Sequence, residues 1–111
     1  MIEKGLRDLR EGNPAVHWAL MARDGVVLTT DLPEGVHSET FAIMCATMLG
    51  AALTLNSEFP EGDVERIIVE AGRYRVIVIG LDMERLMAIV APRNMDISSL
   101  LVYVQKIMKQ S

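Results

Sequence analysis

Between Ser38 and Ser57 the chain reads SETFAIMCATMLGAALTLNS, with no charge from Phe41 to Leu53, and the stretch reads as a helix. On a wheel of about 100° per residue, Phe41, Cys45, Met48, Ala52 and Leu55 gather on one side. Ala42, Ile43, Ala46, Gly50 and Leu53 gather roughly opposite. A surface helix needs one apolar stripe, whereas a helix apolar nearly all round wants burial nearly all round. One face is therefore expected to lie on the chain's own sheet, and the other needs a second partner. Ala42, Ala46 and Gly50, small and four residues apart, would let another backbone come close. That partner is either another helix of this chain or a second copy of it.

With 111 residues, half of them apolar, the chain is expected to form a single domain over 1–111 with one real core. Eleven Lys and Arg against fifteen Asp and Glu leave a net charge of −4. No basic patch offers the clustered cations that nucleic acid demands, so no nucleic-acid partner is expected. The uncharged run falls short of the ~20 residues that cross a bilayer, so no membrane insertion is expected. The N-terminus, MIEKGLRDLREG, is charged and amphipathic, unlike a secretory signal. The single cysteine, Cys45, excludes an intrachain disulfide and fits a reducing, cytoplasmic setting.

Pro14, Pro33, Pro60 and Pro92 all stand at junctions between periodic segments. Residues 2–11 place Ile2, Leu6 and Leu9 on one helical face, though Gly5 weakens the propensity. Residues 15–23, AVHWALMAR, form a strand apolar on both phases. Asp24-Gly25 signals a hairpin with φ > 0 at both central positions, returning through VVLTT at 26–30. Ser38 is the expected N-cap of the long helix, with Glu39 complementing its dipole. VERIIVE at 64–70 reads as an exposed or edge strand. YRVIVIG at 74–80 and RLMAIVA at 85–91 read as buried strands. From Asn94 to Gln110, Ile97, Leu100, Leu101, Val104, Ile107 and Met108 make one helical stripe.

The expected order is α-β-β-α-β-β-β-α. Three strands apolar on both faces require helices on both sides, and short connections favour antiparallel hairpins. The fold class is thus α/β (α+β): a three-layer α/β/α sandwich around a five-stranded, mainly antiparallel sheet. The two terminal helices are expected on one side and the central helix alone on the other. Its outer face would then be an exposed apolar patch, which water-soluble monomers tend to avoid.

This order, carried by VHWALMARDGVVLTTDLP, ETFAIMCATMLGAAL and RIIVEAGRYRVIVIGLDMERLMAIVAPRNMDISSLLVYVQKI, resembles the roadblock/dynein light-chain domain family over about residues 12–109. The resemblance implies a roadblock/profilin-like fold and a homodimer or heterodimer with central helices side by side and edge strands joined. It also implies a small Ras-like GTPase as partner of prokaryotic members; the residues themselves show no phosphate loop, nucleotide fingerprint or paired carboxylates, so no catalytic role, cofactor or metal is expected. On this reading Ala42, Ile43, Ala46, Thr47, Gly50, Leu53 and Thr54 on the helix form the dimer interface. Val64, Arg66 and Ile68 on the edge strand complete it. The same edge charges would also serve merely to block aggregation.

Residues with reactive side chains stay structural in this reading. Cys45 lies on an apolar helix without an activating base. His17 sits in a strand as a packed, hydrogen-bonded ring, and His37 precedes a helix start as a solvated residue. Two histidines and one cysteine without close spacing form no metal pattern. Arg23, Arg73 and Arg85 lie near turns, where an arginine can reach a partner's phosphates or simply stay solvated. Two alternative functions are a small-molecule sensor, with His17, Trp18 and Cys45 lining its cavity, and a purely structural subunit of a larger complex.

Overall fold

A computed structural model describes residues 2–59 and 61–109; Pro60, and Gln110 where the last helix is expected to end, lie outside them. The elements follow in the order α1 (Ile2–Gly12), β1 (His17–Ala22), β2 (Val27–Thr30), α2 (Ser38–Asn56), β3 (Ile67–Ala71), β4 (Tyr74–Gly80), β5 (Arg85–Pro92) and α3 (Ile97–Lys109). The five strands form one sheet in the order β2-β1-β5-β4-β3, with every pairing antiparallel. The two hairpin units join where His17 to Ala22 runs against Val90 to Arg85. The expected order and sandwich are what the chain adopts.

Strand alternation distributes the apolar residues to two cores. Trp18, Leu20, Ile77, Ile79, Met87 and Ile89 point to one face and pack under α1 and α3, against Leu6, Leu9, Val104 and Ile107. Ala19, Met21, Val76, Val78, Leu86 and Ala88 point to the other and pack under α2, against Ala42, Cys45 and Leu49. The terminal helices thus share one side and α2 has the other to itself. Helix α1 forms despite Gly5 because the glycine is a packing contact: a Cβ there would stand 2.8 Å from Ile107 Cγ1. Exposed ion pairs join Lys4 to Asp8 and Arg7 to Glu3, each four residues apart on the helix surface.

Several local expectations need correction. The β1–β2 turn has one left-handed residue, Gly25 at φ +94°, and Asp24 is not left-handed. The Gly25 N–H donates to Ala22 O and the Ala22 N–H to Val26 O, which closes a three-residue loop over Arg23-Asp24-Gly25 instead of a two-residue turn. The N-cap of α2 is His37, without a side-chain bond, and Ser38 is already helical. Strand β3 starts at Ile67 because the ladder with β4 begins at the Ile67–Val78 pair; continued backwards, Val64 would fall opposite Leu81, past the end of β4. Helix α2 is 19 residues long and, by length and composition alone, apolar enough to cross a membrane, unlike the short uncharged run within it.

Candidate functional site

The wheel of α2 turns out to be rotated from the expected one. The core stripe is Ala42, Cys45 and Leu49, flanked by half-buried Phe41, Ala46, Met48 and Ala52. Ala42 is fully buried, so it packs on the sheet and not on the outward face. Leu55 is 64% exposed, so it does not belong to the core stripe where the sequence put it. Ala42 joins Ala19, Met21 and Ala88 in the core under α2, where a small side chain suits close packing of helix on sheet. The outward face then carries Ile43, Met44, Thr47, Gly50, Ala51, Leu53, Thr54 and Leu55.

This face is an apolar surface with its polar groups already satisfied. Thr47 Oγ1 donates to Ile43 O at 2.7 Å and Thr54 Oγ1 to Gly50 O at 3.0 Å. Their hydroxyls are occupied within the helix, which leaves methyl groups to face outward. A Cβ on Gly50 would meet nothing within 4 Å, so the glycine marks a shallow opening in the helix surface. At Gly25 the reverse holds: a Cβ would lie 3.1 Å from Ile43 Cα, so the β1–β2 loop abuts the same helix. The edge β3 adds Ile68, which is 40% exposed. Just before it, Val64 is half-buried and the exposed Arg66 pairs with Glu65 at 3.3 Å.

The polar residues singled out in the sequence do not converge. His17 and Trp18 are neighbours on β1 and so point to opposite faces. Trp18 is buried under α1, while His17 is half-buried on the α2 side. Cys45 is buried in the α2 core, where burial pushes its thiol up to about 11. It is therefore a protonated structural thiol, and the three residues proposed for a sensor cavity line no common space. The Nδ1–H of His17 donates to Asp31 O at 3.2 Å. His37 is exposed. No group of three or more metal-ligating residues exists among the described residues.

Of the three turn arginines, Arg85 is tied to Asp82 at 2.9 Å. The Asp82 carboxyl is held below its ordinary range, first by the Glu84 backbone N–H and then by Arg85. Arg73 is exposed in the β3–β4 turn. Arg23 is half-buried beside Gly80 and Leu49, and its Nε is buried without a hydrogen-bond partner. A Cβ on Gly80 would stand 2.7 Å from the Arg23 guanidinium, so any side chain there would push this flexible end aside.

Two features escaped the sequence reading. Asp31, just past β2, ties three elements together: its Oδ1 accepts the Trp18 backbone N–H at 2.6 Å and its Oδ2 lies 3.2 Å from Arg10 Nε. The second is an apolar cleft of about 510 Å³ beside α2, floored by Val76 and Val90 and walled by Leu32, Phe41 and Tyr74. Leu32 and Val36, apolar residues in the connector before α2, were the signal the sequence carried for it.

The comparisons with known proteins agree on the architecture. A family model described as the Roadblock/LC7 domain matches residues 2–91. Among solved structures, Myxococcus xanthus MglB superposes with a TM-score of 0.87 at 11% identity, over 97% of this chain and 89% of that one. A Roadblock/LC7 domain from Streptomyces avermitilis gives 0.85 at 18% identity, over 96% and 91%. An MglB described with a tetrameric arrangement gives 0.84 at 16% identity, over 98% and 83%. No curated protein matches the sequence.

Proposed function

Because the chain belongs to the Roadblock/LC7 domain family, we propose that it is a cytoplasmic homodimeric adaptor, not an enzyme, that binds and regulates a small Ras-like GTPase. The observation that carries the reading is the outward face of α2. It exposes Ile43, Leu53 and Leu55 around the open Gly50 on a helix that has the sheet side to itself. A second copy would cover this face through Ile43, Ala46, Thr47, Gly50, Leu53 and Thr54. Ile68, with Val64 and Arg66 ahead of it, would extend the contact along the β3 edge. Ala42 leaves the proposed set because it is spent on the core.

Support for self-association also comes from the similar MglB described with a tetrameric arrangement. The GTPase is the partner that the roadblock resemblance implies. Any nucleotide belongs to that partner, and half-buried Arg23, which has no ion pair or hydrogen bond from its side chain among the described residues, is the cation best held for a contact near this face. Pull-downs with Ras-like GTPases of the same organism, loaded in turn with GDP and a GTP analogue, test the partner. Retention in at least one state is expected, and no retention in either removes the GTPase. Equal retention in both states would leave a passive scaffold instead of a regulator.

A further inference from the structure

The cleft beside α2 is not used by the proposed interface, and its chemistry differs from the rest of the surface. Helix α2 crosses the sheet without covering the end where β1 and β4 begin and β5 finishes. There Val76 and Val90, a directly paired couple on β4 and β5, remain as an apolar floor. Leu32 and Phe41 wall one side, and Tyr74 stands on the other, 49% exposed. The volume, about 510 Å³, lies within the ~300–1,000 Å³ of small-ligand sites, which pair apolar walls with a few polar groups.

Charge gives the ligand its sign. The chain carries a net charge of −4, yet no Asp or Glu lines this cleft. Its one charged residue is Arg73, at the mouth next to Tyr74. The Arg73 guanidinium and the Tyr74 hydroxyl have no hydrogen-bond or ion-pair partner among the described residues. By contrast Arg75, two residues on, is held by Glu70 at 2.8 Å, and Arg93 also reaches Glu70. The His17 Nδ1–H is committed to Asp31 O, and its Nε2 has no partner among the described residues.

We propose that this cleft binds a small apolar monocarboxylate, with its hydrocarbon body on Val76, Val90, Leu32 and Phe41 and its carboxylate on Arg73 and Tyr74. A guanidinium presents paired donors that match a carboxylate, and burying the tail removes apolar surface from water. The site is independent of the adaptor reading, because neither the outward face of α2 nor β3 lines it.

Decanoate, with decanol as its uncharged counterpart, tests the site by titration of the full chain under calorimetry and amide NMR. Saturable decanoate binding is expected, with shifts at Phe41, Tyr74 and Val76, and decanol should bind about tenfold more weakly, the worth of one charge-assisted contact. Arg73→Gln should lower decanoate affinity to the level of decanol and leave decanol unchanged. Val36→Asp, an exposed change at the rim, should weaken both ligands and leave the mass in solution unaltered. The proposal is overturned by absent or non-saturable decanoate binding, by decanol binding equally well, or by shifts confined to the outward face of α2. A halved mass of Val36→Asp would also overturn it, since the cleft would then be covered by another copy of the chain.

Discussion

Cys45 shows how burial sets chemistry at a single residue. Its thiol is raised from the usual 9.0 to about 11 because the α2 core disfavours the thiolate. In the unfolded chain it ionises first, so between pH 9 and 11 the unfolded state holds fewer protons than the folded one. Stability should therefore fall across that window and level off above it, and Cys45→Ala should flatten this part of a denaturant-midpoint profile. The native thiol should also resist alkylation at pH 8 until denaturant is added; fast native labelling would contradict its burial. Glu70 illustrates the opposite sign. Its hydrogen bond from Arg75, helped by Arg93, holds the carboxyl below its ordinary range, so the stability it contributes is present above the unfolded value of 4.5 and fades as acid protonates it. Glycines report packing as sharply. Gly5→Ala should lower the unfolding free energy by ~1–3 kcal/mol, since the added methyl meets Ile107 from the facing helix.

At the scale of elements, α2 is where sequence reasoning went furthest and where it slipped. Its length, its isolation on one sheet side and its surplus of apolar surface were all legible from Ser38 to Ser57. Its rotation was not, because nearly every position is apolar and a wheel without contrast has no preferred direction. Ala42 turned inward near the start of the helix and Leu55 outward near its end, a rotation that composition does not encode. The same limit applied to the β1–β2 turn, where Asp24-Gly25 marked the hairpin but not the loop length. The ties of Asp31 and the walls of the cleft could not be assembled from the sequence because they join groups distant in the chain. The open Gly50 supplies a paired test of the outward face. Gly50→Ala should raise helix stability by up to ~1 kcal/mol, whereas Gly50→Leu should weaken self-association by blocking close approach. Equal dimer affinity of Gly50→Leu and the parent chain, read by analytical ultracentrifugation, would move the interface elsewhere.

For the whole molecule, two cores on either side of one sheet divide the labour. The side under α1 and α3 is closed by the chain itself, from Leu6 and Leu9 to Val104 and Ile107. The side under α2 is packed around Ala42, Cys45 and Leu49, open at the cleft over Val76 and Val90, and apolar on the helix's outer face. Light scattering should accordingly give a mass near twice the 12.3 kDa of the chain, and a stable monomer at micromolar concentration would refute the assembly. Leu53→Lys should shift the mass toward the monomer without lowering the content of secondary structure, because that side chain is 42% exposed in the isolated chain. The division also endows the protein with its own optical gauge. The single tryptophan, Trp18, is buried beneath α1, on the opposite side of the sheet from the outward helix. Its emission should redden when α1 lifts away and stay constant when copies associate through α2. Its fluorescence therefore reports loosening of the fold alone, undisturbed by dissociation of copies, with no label added.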